Sequence, residues 1–149
     1  MSNLYNMSEK SNTRELIYVS SELGIDIVVL NRLESEQYIN KVIDTHMPFK
    51  ITGHLQMDVD SITLSLEENE YSYSEHLKSE PAYIFFDQDG LDRKSVVIVK
   101  DAKLVGKLME NSFGMEYFVS NERNDYLIAV NWYVIHVAGS AINDLSKLI

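Results

Sequence analysis

Residues 115–139 hold the densest run of β-branched and aromatic side chains in the chain, and this run limits the fold most strongly. Its first part alternates in the period-2 pattern of a strand. A polar turn over 121–125 follows, and then thirteen almost wholly apolar residues, 126–138. One strand of that length would extend about 43 Å, which is too long for a small domain. A membrane-spanning helix would need about 20 apolar residues.

We therefore expect two strands, 126–130 and 133–138, folded at Asn131 and Trp132. Their near-continuous hydrophobicity predicts that both faces of the sheet are covered, which places these strands at its centre. In this interpretation the side chains of Trp132 and Tyr117 are buried.

The rest of the chain shows helical and strand patterns in turn. A helical face predicts a helix with Ser11 or Asn12 as its N-cap and Gly24 as its end. A second helix over 34–43 should end at Met47 and Pro48. Residues 25–30 fit either a strand or part of a buried helix, and the register of the alternating residues 55–66 slips at Asp60. Further strands are predicted over 82–87 and 95–101, and further helices over 102–111 and 140–148. Residues 67–80 are predicted to form a loop that contains a helical turn near 74–78.

This order of elements predicts one α+β domain over 1–149, with 1–12 frayed. We expect a largely antiparallel central sheet of about five to seven strands with helices packed on it.

Motifs for catalysis or cofactor binding are not evident in the sequence. No two of the four histidines lie four residues apart, and there is no cysteine. Phosphate-loop and dinucleotide fingerprints are missing as well. We therefore expect no catalytic residue, no metal and no cofactor. The N-terminus lacks the pattern of a secretory signal, which predicts a cytoplasmic protein without membrane association.

The formal net charge of −10 bears on the partner. An acidic surface repels phosphate backbones, so direct binding of nucleic acid is disfavoured. The same charge attracts a basic protein and speeds the encounter with it. Acidity that only keeps the protein soluble is the simpler interpretation.

Acidic side chains concentrate between residues 54 and 75, where six carboxylates occur without any lysine or arginine. Tyrosines are interleaved among them. Carboxylates bind guanidinium groups in forked pairs and tyrosine supplies contact area, so the segment is a candidate partner-binding surface. Its predicted contact residues are Asp58, Asp60, Glu67, Glu68, Glu70, Tyr71, Tyr73 and Glu75.

The C-terminal third resembles small bacterial toxin-immunity proteins over residues 83–139. The similarity rests on the segments YIFFD (83–87), FGMEYFVS (113–120), YLIAVN (126–131) and VIHVAG (134–139). Trp132 and Tyr133 stand where those proteins have a pair of histidines. The resemblance implies a protein that binds and blocks a toxin, often a basic nuclease.

We therefore predict a cytoplasmic, non-catalytic immunity or antitoxin-like protein that neutralises a basic toxin, with a nuclease as the favoured class, through its acidic surface. Two alternatives stay open. One is an enzyme or small-ligand protein with a pocket near His136, Asn131 and Tyr117. The other is an acidic mimic of nucleic acid that blocks a DNA-binding protein.

Overall fold

The computed structural model describes residues 10–48, 51, 55 and 60–149. Its helices are α1 (Asn12–Leu23), α2 (Arg32–His46), α3 (Leu66–Asn69), α4 (Val105–Glu110) and α5 (Ala141–Leu145). Short 3-10 turns cover Tyr73–His76, Ala102–Leu104 and Ser146–Leu148. The strands are β1 (Ile27–Val29), β2 (Ser61–Ser65), β3 (Ala82–Phe85), β4 (Val97–Val99), β5 (Tyr117–Ser120), β6 (Tyr126–Val130) and β7 (Val134–Gly139).

The seven strands form one antiparallel sheet in the order β1-β4-β3-β5-β6-β7-β2. Every residue of β5 and β6 is buried, which confirms that the apolar run supplies the centre of the sheet. The predicted α+β fold with an antiparallel sheet is therefore confirmed.

Asn131 explains why the apolar run folds into two strands. Its side-chain Oδ1 accepts hydrogen bonds from the backbone N–H of Tyr133 (2.7 Å) and of Val134 (2.9 Å). Its Nδ2 donates to the carbonyl oxygen of Leu55 at 2.8 Å. An asparagine that bonds its own backbone two residues on is a typical turn residue. The chain therefore reverses between β6 and β7 although its neighbours favour strands.

The two faces of the sheet bury separate apolar cores. Residues directly opposite each other on neighbouring strands point to the same face. On one face, side chains of the central strands pack with α1, α4 and α5. On the other face, α2 covers the sheet, and the rings of Phe85 and Phe118 stack with their centroids 4.8 Å apart. Tyr38 of α2 stacks on Tyr83 at 4.6 Å, which joins this helix to the sheet.

The ends of the first two helices follow from their capping residues. The side chain of Ser11 caps α1, and Gly24 ends it with a left-handed φ of 69°, as predicted. Helix α2 begins two residues earlier than 34 because Asn31 and Glu34 form a capping box. It ends where Met47 adopts a left-handed conformation just before Pro48. Local capping chemistry thus determines these boundaries.

Two predictions about individual side chains have opposite outcomes. Tyr117 is 2% exposed, as expected for a central strand. Trp132 is 50% exposed, so its predicted burial is wrong. The reason is that Trp132 lies in the reversal between β6 and β7, where its side chain does not point into either core.

The structure refines three further predictions, which concern the N-terminus, residues 25–30 and residues 67–80. Ser11 and Asn12 are not frayed, because both donate hydrogen bonds of 2.8 Å to the carboxylate of Asp92. Residues 1–9 lie outside the described residues, as does the predicted strand at 55–59 apart from Leu55, which is buried. Residues 25–30 contribute the edge strand β1. The predicted loop over 67–80 contains α3 and the 3-10 turn Tyr73–His76.

We predict that Phe118→Ala lowers the free energy of unfolding by about 3–5 kcal/mol, because it empties a fully buried aromatic site. Trp132→Ala, which removes a half-exposed side chain, should cost less than half as much. Denaturant unfolding of the two variants measures both effects. A larger loss for Trp132→Ala would show that the turn, and not the aromatic stack, stabilises the sheet.

Candidate acidic interface

The glutamate-rich part of the acidic segment, residues 67–75, follows the end of β2. Ser65 is the last residue of β2, and its side chain caps α3 by accepting from the backbone N–H of Glu68. Asn69 is buried and donates from Nδ2 to the carbonyl oxygen of Ser65 at 3.0 Å. This short helix therefore turns Asn69 inward while Glu67 and Glu68 are exposed to solvent.

Ser74 joins the acidic segment to α4. Its buried hydroxyl accepts a hydrogen bond from the backbone N–H of Gly106 at 2.8 Å and donates to the carbonyl oxygen of Lys103 at 3.2 Å. A Cβ atom at Gly106 would lie 2.2 Å from the carbonyl oxygen of Tyr71. Only glycine permits this close approach. The contact holds the start of α4 against residues 71–74.

These contacts form an acidic groove of about 320 Å³, lined by Glu67, Glu68, Glu70, Tyr71, Ser72, Glu75 and Glu110. Five of the seven lining residues are glutamates and none is a cation. At the edge, the Nζ atom of Lys103 donates to the backbone carbonyl oxygen of Glu75 at 2.9 Å. Exposed carboxylates gathered in this way create a local negative field.

Tyr71 contributes the aromatic surface of the groove. Its side chain is 40% exposed. Partial burial raises the pKa of its hydroxyl, and the nearby charges of Glu70 and Glu110 raise it further. The phenol therefore stays neutral and can donate a hydrogen bond within the groove. An amphipathic ring among acids suits contact with the stem and head of an arginine or lysine.

The structure brings together five of the eight predicted contact residues: Glu67, Glu68, Glu70, Tyr71 and Glu75. Asp60 is exposed just before β2 and does not line the groove. Asp58 lies outside the described residues.

The prediction that Tyr73 contacts the partner is wrong, because its side chain is not accessible at the surface. Its side chain is 0% exposed, and its hydroxyl lies 2.9 Å from the hydroxyl of Tyr117 inside the core. Burial raises the pKa of Tyr73 well above its ordinary value. The alternating tyrosines of the segment thus have different roles, with Tyr71 at the surface and Tyr73 in the core.

Two groove residues, Ser72 and Glu110, were not among the predicted contact residues, and Glu110 is the charged one. It lies 35 positions after Glu75 at the end of α4 and reaches the groove only through the contact between Gly106 and Tyr71. The sequence feature that could have indicated Glu110 is its position on the polar face of an amphipathic helix. Many solvated glutamates have the same position, so this feature is not specific.

Of the residues named for the alternative pocket, His136 and Tyr117 lie on opposite faces of the sheet. His136 pairs with Ala129, and Ala129 pairs with Phe118, so these three share one face of the sheet. Tyr117 precedes Phe118 and lies on the opposite face. The amide of Asn131 is occupied by the turn described above. Partial burial lowers the pKa of His136, whose Nδ1 lies 3.4 Å from the hydroxyl of Thr63.

Within the described ranges, no group of three or more His, Asp or Glu side chains is arranged to hold a metal ion. No helix in the same part of the chain is long and apolar enough to span a membrane. Comparisons with family models, with curated proteins and with solved structures give no significant match.

We predict that Ser74→Ala lowers the free energy of unfolding by about 1–3 kcal/mol, because it leaves the buried N–H of Gly106 without a partner. Ser72→Ala is the matched control, since Ser72 makes no capping hydrogen bond with its side chain. Urea unfolding compares the two variants. Equal stabilities would show that the Ser74 hydrogen bonds do not hold α4 to the acidic segment.

Proposed function

We propose that this chain is a non-catalytic, cytoplasmic immunity or antitoxin-like protein that neutralises a basic toxin, with a nuclease as the favoured class. The observation that carries the proposal is the acidic groove, in which five glutamates surround an exposed tyrosine without a lining cation. Such a surface is complementary to a protein that binds nucleic acid.

The groove would inhibit by occupying the partner's phosphate-binding surface. A nuclease needs arginine and lysine side chains to hold phosphate groups. Carboxylates form bidentate pairs with the same arginines and therefore compete for them. The exposed charges also steer the encounter, and this long-range contribution is screened by salt over about 8–10 Å. Tyr71 then supplies the contact area that slows dissociation.

The resemblance to toxin-immunity proteins bears on the scaffold more than on the contact surface. Its segments correspond to β3, β5, β6 and β7, which are mostly buried. The groove, by contrast, is built from residues 67–75 and from α4. We infer that the sheet is the common support and that the groove gives specificity for the toxin.

The proposal is tested with the product of the neighbouring reading frame. Its expression alone should stop growth of a host cell, and co-expression of this chain should restore it. The two purified proteins should form a complex that has lost the toxin's activity. A toxic neighbour that this chain neither binds nor inhibits would overturn the assignment. Inhibition of a DNA-binding protein without toxic activity would support the nucleic-acid mimic.

We predict that the variant Glu67→Lys/Glu75→Lys/Glu110→Lys slows association with the toxin at least ~10-fold at low salt, because steering is lost. The free energy of unfolding should change by less than about 1 kcal/mol, since these charges are exposed. Stopped-flow binding over a salt series measures the rate.

The matched control for this triple variant is Glu22→Lys/Asp26→Lys/Asp44→Lys. It changes the net charge by the same amount at exposed positions outside the groove. The control should retain most of the association rate. Equal slowing of both variants would mean that net charge alone, and not the groove, attracts the partner.

We predict that Tyr71→Ala acts on dissociation instead. It should raise the dissociation rate at least ~10-fold and leave the association rate within about 2-fold, because the change removes contact area but no charge. Tyr71→Phe separates the ring from the hydroxyl and should retain most of the affinity if the ring dominates. Surface-captured complexes followed during buffer flow give both rates. A dissociation rate that Tyr71→Ala leaves unchanged would place the ring outside the contact.

A further inference from the structure

A second charged surface, of opposite sign, lies around the segment that precedes β4. Three of the four arginines, together with two lysines, line two concavities of about 720 and 320 Å³ that share Leu91 and Ser95. These five cations, which we call the basic surface, are Lys10, Arg14, Arg32, Arg93 and Lys94. They come from three separate parts of the sequence, so only the fold assembles them.

The smaller concavity is the positive centre of this surface. Arg32, Arg93 and Lys94 line it with Leu30, Leu91 and Ser95, and no carboxylate is among its lining residues. The larger concavity also contains Glu15 and Asp92. The oxygens of Asp92 accept from Ser11 and from the first backbone N–H groups of α1, which occupies that carboxylate.

Most of the cations on the basic surface form no ion pair with the carboxylates that the structure describes. Among the described residues, the one ion pair on the basic surface joins Lys94 to Glu36 at 2.9 Å. Arg93 donates to the backbone carbonyl of Gly90 at 3.2 Å, which leaves most of its guanidinium donors open. In a chain with 23 acidic and 13 basic side chains, partners for arginine are abundant. Among the described residues, Arg14, Arg32 and Arg93 form no direct ion pair, although Glu36 lies close enough to Arg32 for its pKa to be lowered. Their guanidinium groups are therefore open to an external anion.

We propose that the basic surface binds an acidic segment of a partner protein. Arg32 and Arg93 would hold carboxylates in forked pairs, and an apolar side chain of the segment would contact Leu91. Leu91 is 57% exposed and lies between the two concavities. This site shares no residue with the acidic groove, so it does not depend on the function proposed for that groove.

A protein segment fits this surface better than nucleic acid does. Nucleic-acid sites spread cations along a groove and add stacked aromatic rings. The smaller concavity has no aromatic lining residue, and its cations surround the exposed Leu91. The net charge of −10 also repels a long polyanion. A short acidic segment with an apolar side chain can pair with the local cations, and it is too short to be repelled along its length as a long polyanion is.

The test uses a fluorescent peptide that repeats Glu-Leu-Glu, its Gln-Leu-Gln analogue and a DNA duplex as probes of the intact chain. The Glu peptide should bind, and Arg32→Glu/Arg93→Glu should weaken it at least ~10-fold. The control Lys41→Glu/Lys147→Glu makes the same charge change at exposed positions elsewhere and should stay within about 2-fold of the unchanged chain. NMR amide shifts should move at residues 30–32 and 91–95.

The outcomes separate the proposal from its rivals. The proposal would be overturned if the Glu peptide failed to bind. It would also be overturned if both variants lost the same amount of affinity for the peptide. Tighter binding of the duplex than of the peptide, lost in Arg32→Glu/Arg93→Glu, would assign the surface to nucleic acid. Equal binding of the Gln analogue would show that the contact is apolar and does not use the arginines. Unfolding curves confirm that both variants keep the fold.

Discussion

Burial of both faces of the central strands is the constraint on which the rest of the structure depends. The residues of β6 alternate between the two cores, so neither face can be left to solvent. Helix α2 must cover one side while α1, α4 and α5 cover the other. This arrangement uses the apolar side chains of the sheet for stability. Polar side chains that could meet a partner are therefore placed on the connecting segments and on the outer faces of helices.

The acidic groove is an example of such placement. Its glutamates are solvated and contribute little to stability, but the backbone beneath them is fixed from the core. Tyr73 enters the core beside Tyr117, and Ser74 bonds to the first turn of α4. A rigid support of this kind limits the entropy that a binding surface loses on association. The core thus organises the groove without sharing its charged residues.

Negative and positive side chains gather on separate surfaces, and the net charge of −10 does not show this separation. The groove gathers glutamates from residues 67–75 and from α4, whereas the basic surface gathers cations from residues 10–14, 32 and 93–94. Among the described residues, no cation lines the acidic groove and no carboxylate lines the smaller basic concavity. Because local fields and not the total charge govern short-range recognition, an acidic protein can still present a site for an anion.

Features that depend on local pattern could be predicted from the amino-acid sequence. Periodicity placed the strands of the C-terminal third, and capping residues such as Ser11 and Gly24 set the ends of α1. Tertiary structure decided what depends on distant contacts. Trp132 points outward because of the turn at Asn131, and Tyr73 is buried although its polar neighbours resemble those of Tyr71. Glu110 joins the acidic groove, and Arg14, Arg32 and Arg93 join the basic surface, only because the folded sheet brings separate segments together. No local pattern encodes such proximity.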